Sequence, residues 1–492
     1  MDRYLSDAAH FPGGHTAGVV VPRTIDDIPG IVRGATTLLA IGAQSSLTGG
    51  ATPMGETVLS TEKLTRIVDV GHGHVTVEAG VPVATMQAAL AARGAWFPPA
   101  PTFTGAFAGG IVATNAAGAA TFRHGAVRPW VDALTIVLAD GSPLAIRRGE
   151  IRARGGVLRV PAAHGSIDVP IPSYRMPDVP KVSAGYYAAP GMDLIDLFVG
   201  SEGTLGVITT VTFRTLSPAP VAALALVPVR SETRAIALVA DLRRESAVAA
   251  IEHMAARCLE ILHEDGADRR NDVAFPEGAV LALLVQIELP PGTTDASARD
   301  AIEASATRDT PLGRVCRVLD AHGAFDETEM ALPGQARRAE QLIAIREAVP
   351  AGVNQRVGRA QREIDARIAK TAADMIVPFE RFGEMMAIYR DGFASRGLDA
   401  AVWGHISDGN VHPNVVPRSY ADVERGKEAI LFFGRECARL GGCPLAEHGV
   451  GRHPVKQALL RELYGERGID EMRAMKRALD PASKLAPGVI FP

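Results

Sequence analysis

In LFVGSEGTLGVITTVTFRTL, Leu197–Leu216, an apolar run is interrupted by Gly200, Gly203 and Gly206 and then resumes as a β-branched strand from Val207 and Ile208. Glycine at such points lets the main chain come close to a neighbour or a ligand. Glu202, set between two of these glycines, is expected to face something other than the core. Two further stretches share this texture. IGAQSSLTGG, Ile41–Gly50, reads as a strand entering a loop of Gly42, Ala43, Gln44, Ser45 and Ser46, whose N–H groups suit a pyrophosphate. It is neither a Walker loop nor a G-x-G-x-x-G turn. FAGGIVATNAAGAATFRHG, Phe107–Gly125, offers Gly109, Gly110, Thr114, Asn115 and Gly118 in a run small enough to lie flat on a planar ligand. Any one of these fits a tight loop or close core packing; together they point to a dinucleotide site.

The chain of 492 residues exceeds one ordinary core, so two or three domains are expected. With 47% hydrophobic and 22% charged residues it has a soluble, globular composition. A net charge of −4 gives no support to a nucleic-acid surface. Cys258, Cys316, Cys437 and Cys443 form no C-x-x-C pair, which argues against a cluster or a redox dithiol. The N-terminal MDRYLSDAAHFPGG has no secretory pattern, and no apolar run is long enough for a bilayer, so a cytoplasmic protein without a transmembrane segment is expected.

Residues 1–218 read as a glycine-rich domain of short strands. A strand precedes a helix starting near Ile25, a hairpin turns at Gly71–Gly73, a helix lies between Pro82 and Gly94, and a second hairpin turns at Asp140-Gly141. Arg147–Ala189 reads as loops and short, mobile strands. SPAPVAA, Ser217–Ala223, reads as a linker. Residues 219–443 alternate strands such as AVLALLVQIEL with charged helices, an α+β domain, and 444–492 is a helix-rich end.

The glycine loops resemble, in order and spacing, those of the vanillyl-alcohol oxidase/p-cresol methylhydroxylase flavoproteins. Within that superfamily the resemblance is to D-lactate and D-2-hydroxyglutarate dehydrogenases and the D-subunit of glycolate oxidase. It implies a two-subdomain PCMH-type FAD-binding domain, an α+β cap over 219–443, and a C-terminal segment from 444 returning to the FAD domain. It also implies a pyrophosphate on residues 42–46. Where some relatives attach the flavin through a histidine, Gln44 and Ser45 stand here, so FAD without a covalent bond is expected.

VWGHISDGNVHPNV, Val402–Val415, holds His405 and His412 around the turn formers Asp408, Gly409 and Asn410. In one straight strand their odd spacing would send them to opposite faces; a turn between two strands lets them converge. The segment resembles the GH-x-x-DGN-x-H of these dehydrogenases, and LAEHGVGRHPVK, Leu445–Lys456, resembles their EHG-x-G segment. The resemblance implies a divalent metal, zinc or manganese, on His405, His412 and Glu447 at a domain interface. It makes His448 the base for a substrate hydroxyl, Asn414 a substrate contact, and Arg346 in IAIREAV the partner of a substrate carboxylate. KTAADMIVPFERF resembles a D-x-x-V-P strand at Asp374–Pro378. Some relatives have a lysine just before that aspartate; here Ala372 and Ala373 stand there, with Lys370 further off. PKVSAGY, Pro180–Tyr186, resembles a loop near flavin and substrate.

The expected protein is an FAD- and metal-dependent dehydrogenase of a small D-2-hydroxy acid that passes electrons to an external acceptor. The alternatives are a flavin-dependent transferase like alkyl-dihydroxyacetonephosphate synthase, against which a carboxylate at Glu447 argues, and a non-catalytic FAD-binding subunit. Oligomeric state, a homodimer included, stays open.

Overall fold

In the computed structural model, which describes residues 2–99, 103–163 and 165–492, the glycine-interrupted run begins as the short helix Leu194–Phe198. Asp193 caps it by accepting from the Ile195 N–H. After the glycine turns the chain becomes the strand Val207–Arg214. This is the middle strand of a five-stranded antiparallel sheet, flanked by the hairpins Ile67–Gly71/His74–Glu78 and Val131–Val137/Pro143–Arg147. A parallel sheet orders Gly18–Val20, Thr57–Ser60 and Leu38–Ile41. Ile28, Val32, Leu59, Val137, Val207 and Leu485 share one buried cluster, so both sheets and the chain's last segment close on a common core. Removing that apolar surface from water is the main force holding the elements together. The unit comprises Met1–Gly118, Gly125–Pro218 and Cys443–Pro492.

The stretch Arg147–Ala189 carries the short strands and loops expected of it. Val157–Ala162 and Gly165–Pro170 form a hairpin, and the chain beyond is pinned to the helix Pro454–Leu479. Tyr174 stacks on Tyr464 with ring centroids 4.1 Å apart, and Ser173 donates twice to Glu471. These partners are distant in sequence, so local polarity gives no sign of them. The linker reading changes: Val221–Ala223 already pair with Ile287–Leu289 at the start of the strand Val221–Val229.

The second unit, Ala119–His124 with Ala219–Gly442, is built on a seven-stranded antiparallel sheet. Its order is Glu329–Ala331, Val221–Val229, Leu281–Leu289, Val248–Met254, Ala400–His405, Asn410–Val415 and Met375–Ile376. The helices Ala256–Glu264 and Ala336–Glu363 bury Cys258, Ile261, Leu342, Ile345 and Val349 together with Met254 and Trp403 of the sheet. Among the described residues no helix is long and apolar enough to cross a membrane.

Candidate active site

The first unit holds an open cleft of about 300 Å³ whose walls are the glycine-rich segments. Residues 40–48 form one wall, most of 106–117 another, and Glu202, Gly203, Gly206 and Ile208 a third. Gln44 has a left-handed φ of 53°, and its side-chain amide donates to the carbonyls of Tyr4, Ser6 and Ala51. The loop is thereby tied back to the N-terminal chain. A Cβ added at Gly110 or Gly203 would meet no neighbouring atom, so the main chain is open there. Glu202 is deeply placed and accepts from the N–H groups of Val450 and Gly451, each at 2.8 Å. Burial pushes its carboxyl above the usual range against the pull of those two donors.

That pair of bonds fixes the turn after Glu447-His448, and both of these residues lie on the cleft wall. Glu447 is only 8% exposed, with Oε2 3.1 Å from Nζ of the fully buried Lys181. His448 is more open, its Nε2 3.6 Å from Glu447 Oε1. Among the described lining residues the acidic ones are Glu202 and Glu447. The first is held by two N–H donors and the second lies beside an ammonium, so each carboxylate on the wall has a partner.

In the second unit the strands Ala400–His405 and Asn410–Val415 form a hairpin through the turn Ile406–Asp408 and Gly409. Gly409 sits at φ 85°, and a Cβ there would lie 2.1 Å from the Val377 carbonyl oxygen. Only glycine fits. The register pairs Trp403 with His412 and His405 with Asn410. His412 therefore stands opposite a residue two positions before His405, which puts both imidazoles on one face, ring centroids 5.4 Å apart. Glu252, the cross-strand partner of His405, accepts from its Nδ1 at 3.0 Å. Arg346 Nε donates to the other Glu252 oxygen at 2.9 Å. Burial raises the Glu252 carboxyl, but Arg346 and His405 outweigh it and hold it well below the usual range. His412 Nδ1 lies 3.5 Å from buried Asp374, which also accepts from Asn410 at 3.0 Å. Asn414 donates to the His412 carbonyl, and its Oδ1 is buried without a hydrogen-bond partner among the described residues.

Residues 219–490 match the family described as FAD linked oxidases, C-terminal domain, and residues 16–147 match an FAD binding domain. This chain belongs to the FAD-linked oxidases. The FAD-linked oxidase is 27% identical to glycolate oxidase subunit GlcD of Bacillus subtilis (strain 168), over 96% of this chain and 88% of that protein. It is 26% identical to D-2-hydroxyglutarate dehydrogenase of Xanthomonas citri pv. viticola, over 96% and 89%. It is 27% identical to D-lactate dehydrogenase of Archaeoglobus fulgidus, over 96% and 90%. A solved alkyldihydroxyacetonephosphate synthase superposes with a TM-score of 0.60 at 13% identity, covering 95% of this chain and 75% of that one, a likeness of fold. The enzyme is an FAD-dependent oxidoreductase of the PCMH type.

For this FAD-linked oxidase the cleft gathers Gly42, Ala43, Gln44, Ser45, Ser46, Gly109, Gly110, Thr114, Glu202, Gly203, Gly206 and Ile208. Open glycine backbone and acids already held by partners fit a dinucleotide. Four expected contacts lie off the lining. Val207 faces the core beside Ile28 and Val137. Asn115 Oδ1 accepts from the Arg128 N–H, and the Gly200 N–H donates to Val112. Gly118 lies one position past Ala117, the last lining residue of its segment. Arg346 is neither a surface charge nor simply an open anion site, because its Nε is committed to Glu252. Sequence reading set the Pro180–Tyr186 loop near the flavin without singling out Lys181, and it passed over Glu252. Glu252 lies in a strand buried along its whole length, and a carboxylate in such a run is itself a signal.

Proposed function

We propose that this FAD-linked oxidase converts a D-2-hydroxy acid of the lactate, glycolate or 2-hydroxyglutarate kind to its 2-oxo acid and hands the electrons to an external acceptor. When bound, FAD supplies the hydride acceptor and a divalent metal, zinc or manganese, supplies a Lewis acid at the substrate oxygens. His405, His412 and Glu447 would hold that metal. Two imidazoles and one carboxylate, each imidazole with a carboxylate near its Nδ1, are a donor set that suits such an ion. Gln44 and Ser45 leave the flavin without a histidine attachment in its loop. His448 takes the proton of the substrate hydroxyl on its imidazole. Arg346 pairs the substrate carboxylate through the Nη groups while Glu252 holds its Nε. Asn414 orients the substrate with its buried amide oxygen.

The observation that carries this reading is the presence of Glu447 and His448 on the wall of the cleft that the three glycine-rich segments form. The test mixes the FAD-loaded, metal-supplemented protein anaerobically with D- and L-lactate, glycolate and D- and L-2-hydroxyglutarate, following the flavin's visible absorbance. Bleaching by glycolate or a D-isomer, reversed by an artificial acceptor, is expected. If none of the acids bleaches the flavin, the reading is wrong.

A further inference from the structure

We propose that Glu252, locked by Arg346, is a positioning residue that sets the tautomer of His405 and so decides whether His405 can bind a cation at all. The inference rests on the metal reading above and concerns one hydrogen-bonded row: Arg346 Nε to Glu252 Oε2 at 2.9 Å, and Glu252 Oε1 to His405 Nδ1 at 3.0 Å. A guanidinium only donates, and an ionised carboxylate only accepts. The proton between Glu252 and His405 therefore belongs to Nδ1, and Nε2 keeps its lone pair for a ligand. The arrangement is built into the sheet, because Glu252 and His405 are register partners on adjacent strands. Glu252 is 9% exposed and His405 1%, so little water competes for either bond.

Glu252→Gln makes the inference sharp. An amide has one accepting and one donating end. Arg346 demands the accepting end, which leaves the NH₂ facing His405. The ring must then present its Nδ1 lone pair and carry its proton on Nε2, where it cannot ligate. Charge loss alone would also weaken the site, so a second substitution separates the causes. In Glu252→Gln/Arg346→Met the demand is removed, the amide can turn its oxygen to Nδ1–H, and binding should return.

The experiment titrates Zn²⁺ or Mn²⁺ into wild type, E252Q, R346M and the double variant, all loaded with FAD. Glu252→Gln is expected to weaken binding by about 10–100-fold, the range known for lost outer partners of a metal-bound histidine. R346M, which bares a buried carboxylate, is expected to weaken binding as well, and the double variant to bind more tightly than E252Q. Unchanged affinity in E252Q, or a double variant as weak as E252Q, overturns the inference. A wild-type protein that binds neither ion instead removes the metal reading itself. Should E252Q not fold, the imidazole ¹⁵N shifts of His405 in metal-free wild type decide: an Nδ1–H pattern supports the assignment and an Nε2–H pattern overturns it.

Discussion

His448 lies at the cleft wall with a quarter of its side chain exposed, beside the nearly buried Glu447. A base must reach solvent-delivered substrate, while a ligand or a structural carboxylate gains from burial. The two neighbours therefore separate by environment. His448→Ala should keep FAD and divalent metal and lose about 10²–10⁴-fold in turnover, the usual weight of a positioned base. His405→Ala should lose metal. Stopped-flow flavin reduction and metal analysis of the purified variants check both, and normal reduction in His448→Ala would remove its role as base. At this scale part of what the motifs announce is legible, since Glu202, Gly203 and Gly206 line the cleft while Gly200 does not. Lys181 is not. A fully buried lysine is stable only beside its counterion, and the partner Glu447 comes from a far part of the chain.

At the scale of elements, the histidine hairpin shows what spacing conveys and what it leaves out. Asp408, Gly409 and Asn410 announce a turn. That the imidazoles share a face depends on register, which is set by the tight turn and by pairing with Val248–Met254 and Met375–Ile376. The same pairing supplies Glu252, which no local pattern around His405 contains. Gly409 is the joint of the element. Alanine there would take on a left-handed φ and meet a carbonyl oxygen at 2.1 Å. A strained φ alone costs about 1–3 kcal/mol, so Gly409→Ala should destabilise the second unit by at least that much and weaken metal binding as the turn shifts. Denaturant unfolding and metal titration of this variant test the point. Full stability with full metal affinity would mean that the turn relaxes without moving the histidines.

At the scale of the molecule, each of the two units has its own buried cluster. The α+β class and the flavin fold were legible because loop motifs and alternating strands and helices survive in local sequence. The capture of Ala119–His124 by the second unit was not, because the small-residue run passes from Gly118 into Ala119 and Ala120 without a break. Separate cores imply separate responses. FAD binding acts on the first unit, and at about 1,000 times its dissociation constant a ligand adds about 4 kcal/mol. The second unit carries His253, buried beside Phe382, whose ring burial pushes down to about 4 from an ordinary 6.5. The unfolded chain takes up that proton below about pH 6.5, whereas the fold refuses it until about pH 4. Unfolding therefore binds a proton in this window, and stability falls as pH drops through it, by up to about 3 kcal/mol at the lower end. Calorimetry should show two transitions, one raised by added FAD and the other lowered between pH 6.5 and pH 4. His253→Leu should flatten the second response and leave the first intact. A single transition that answers to both FAD and pH would show instead that the two cores unfold as one.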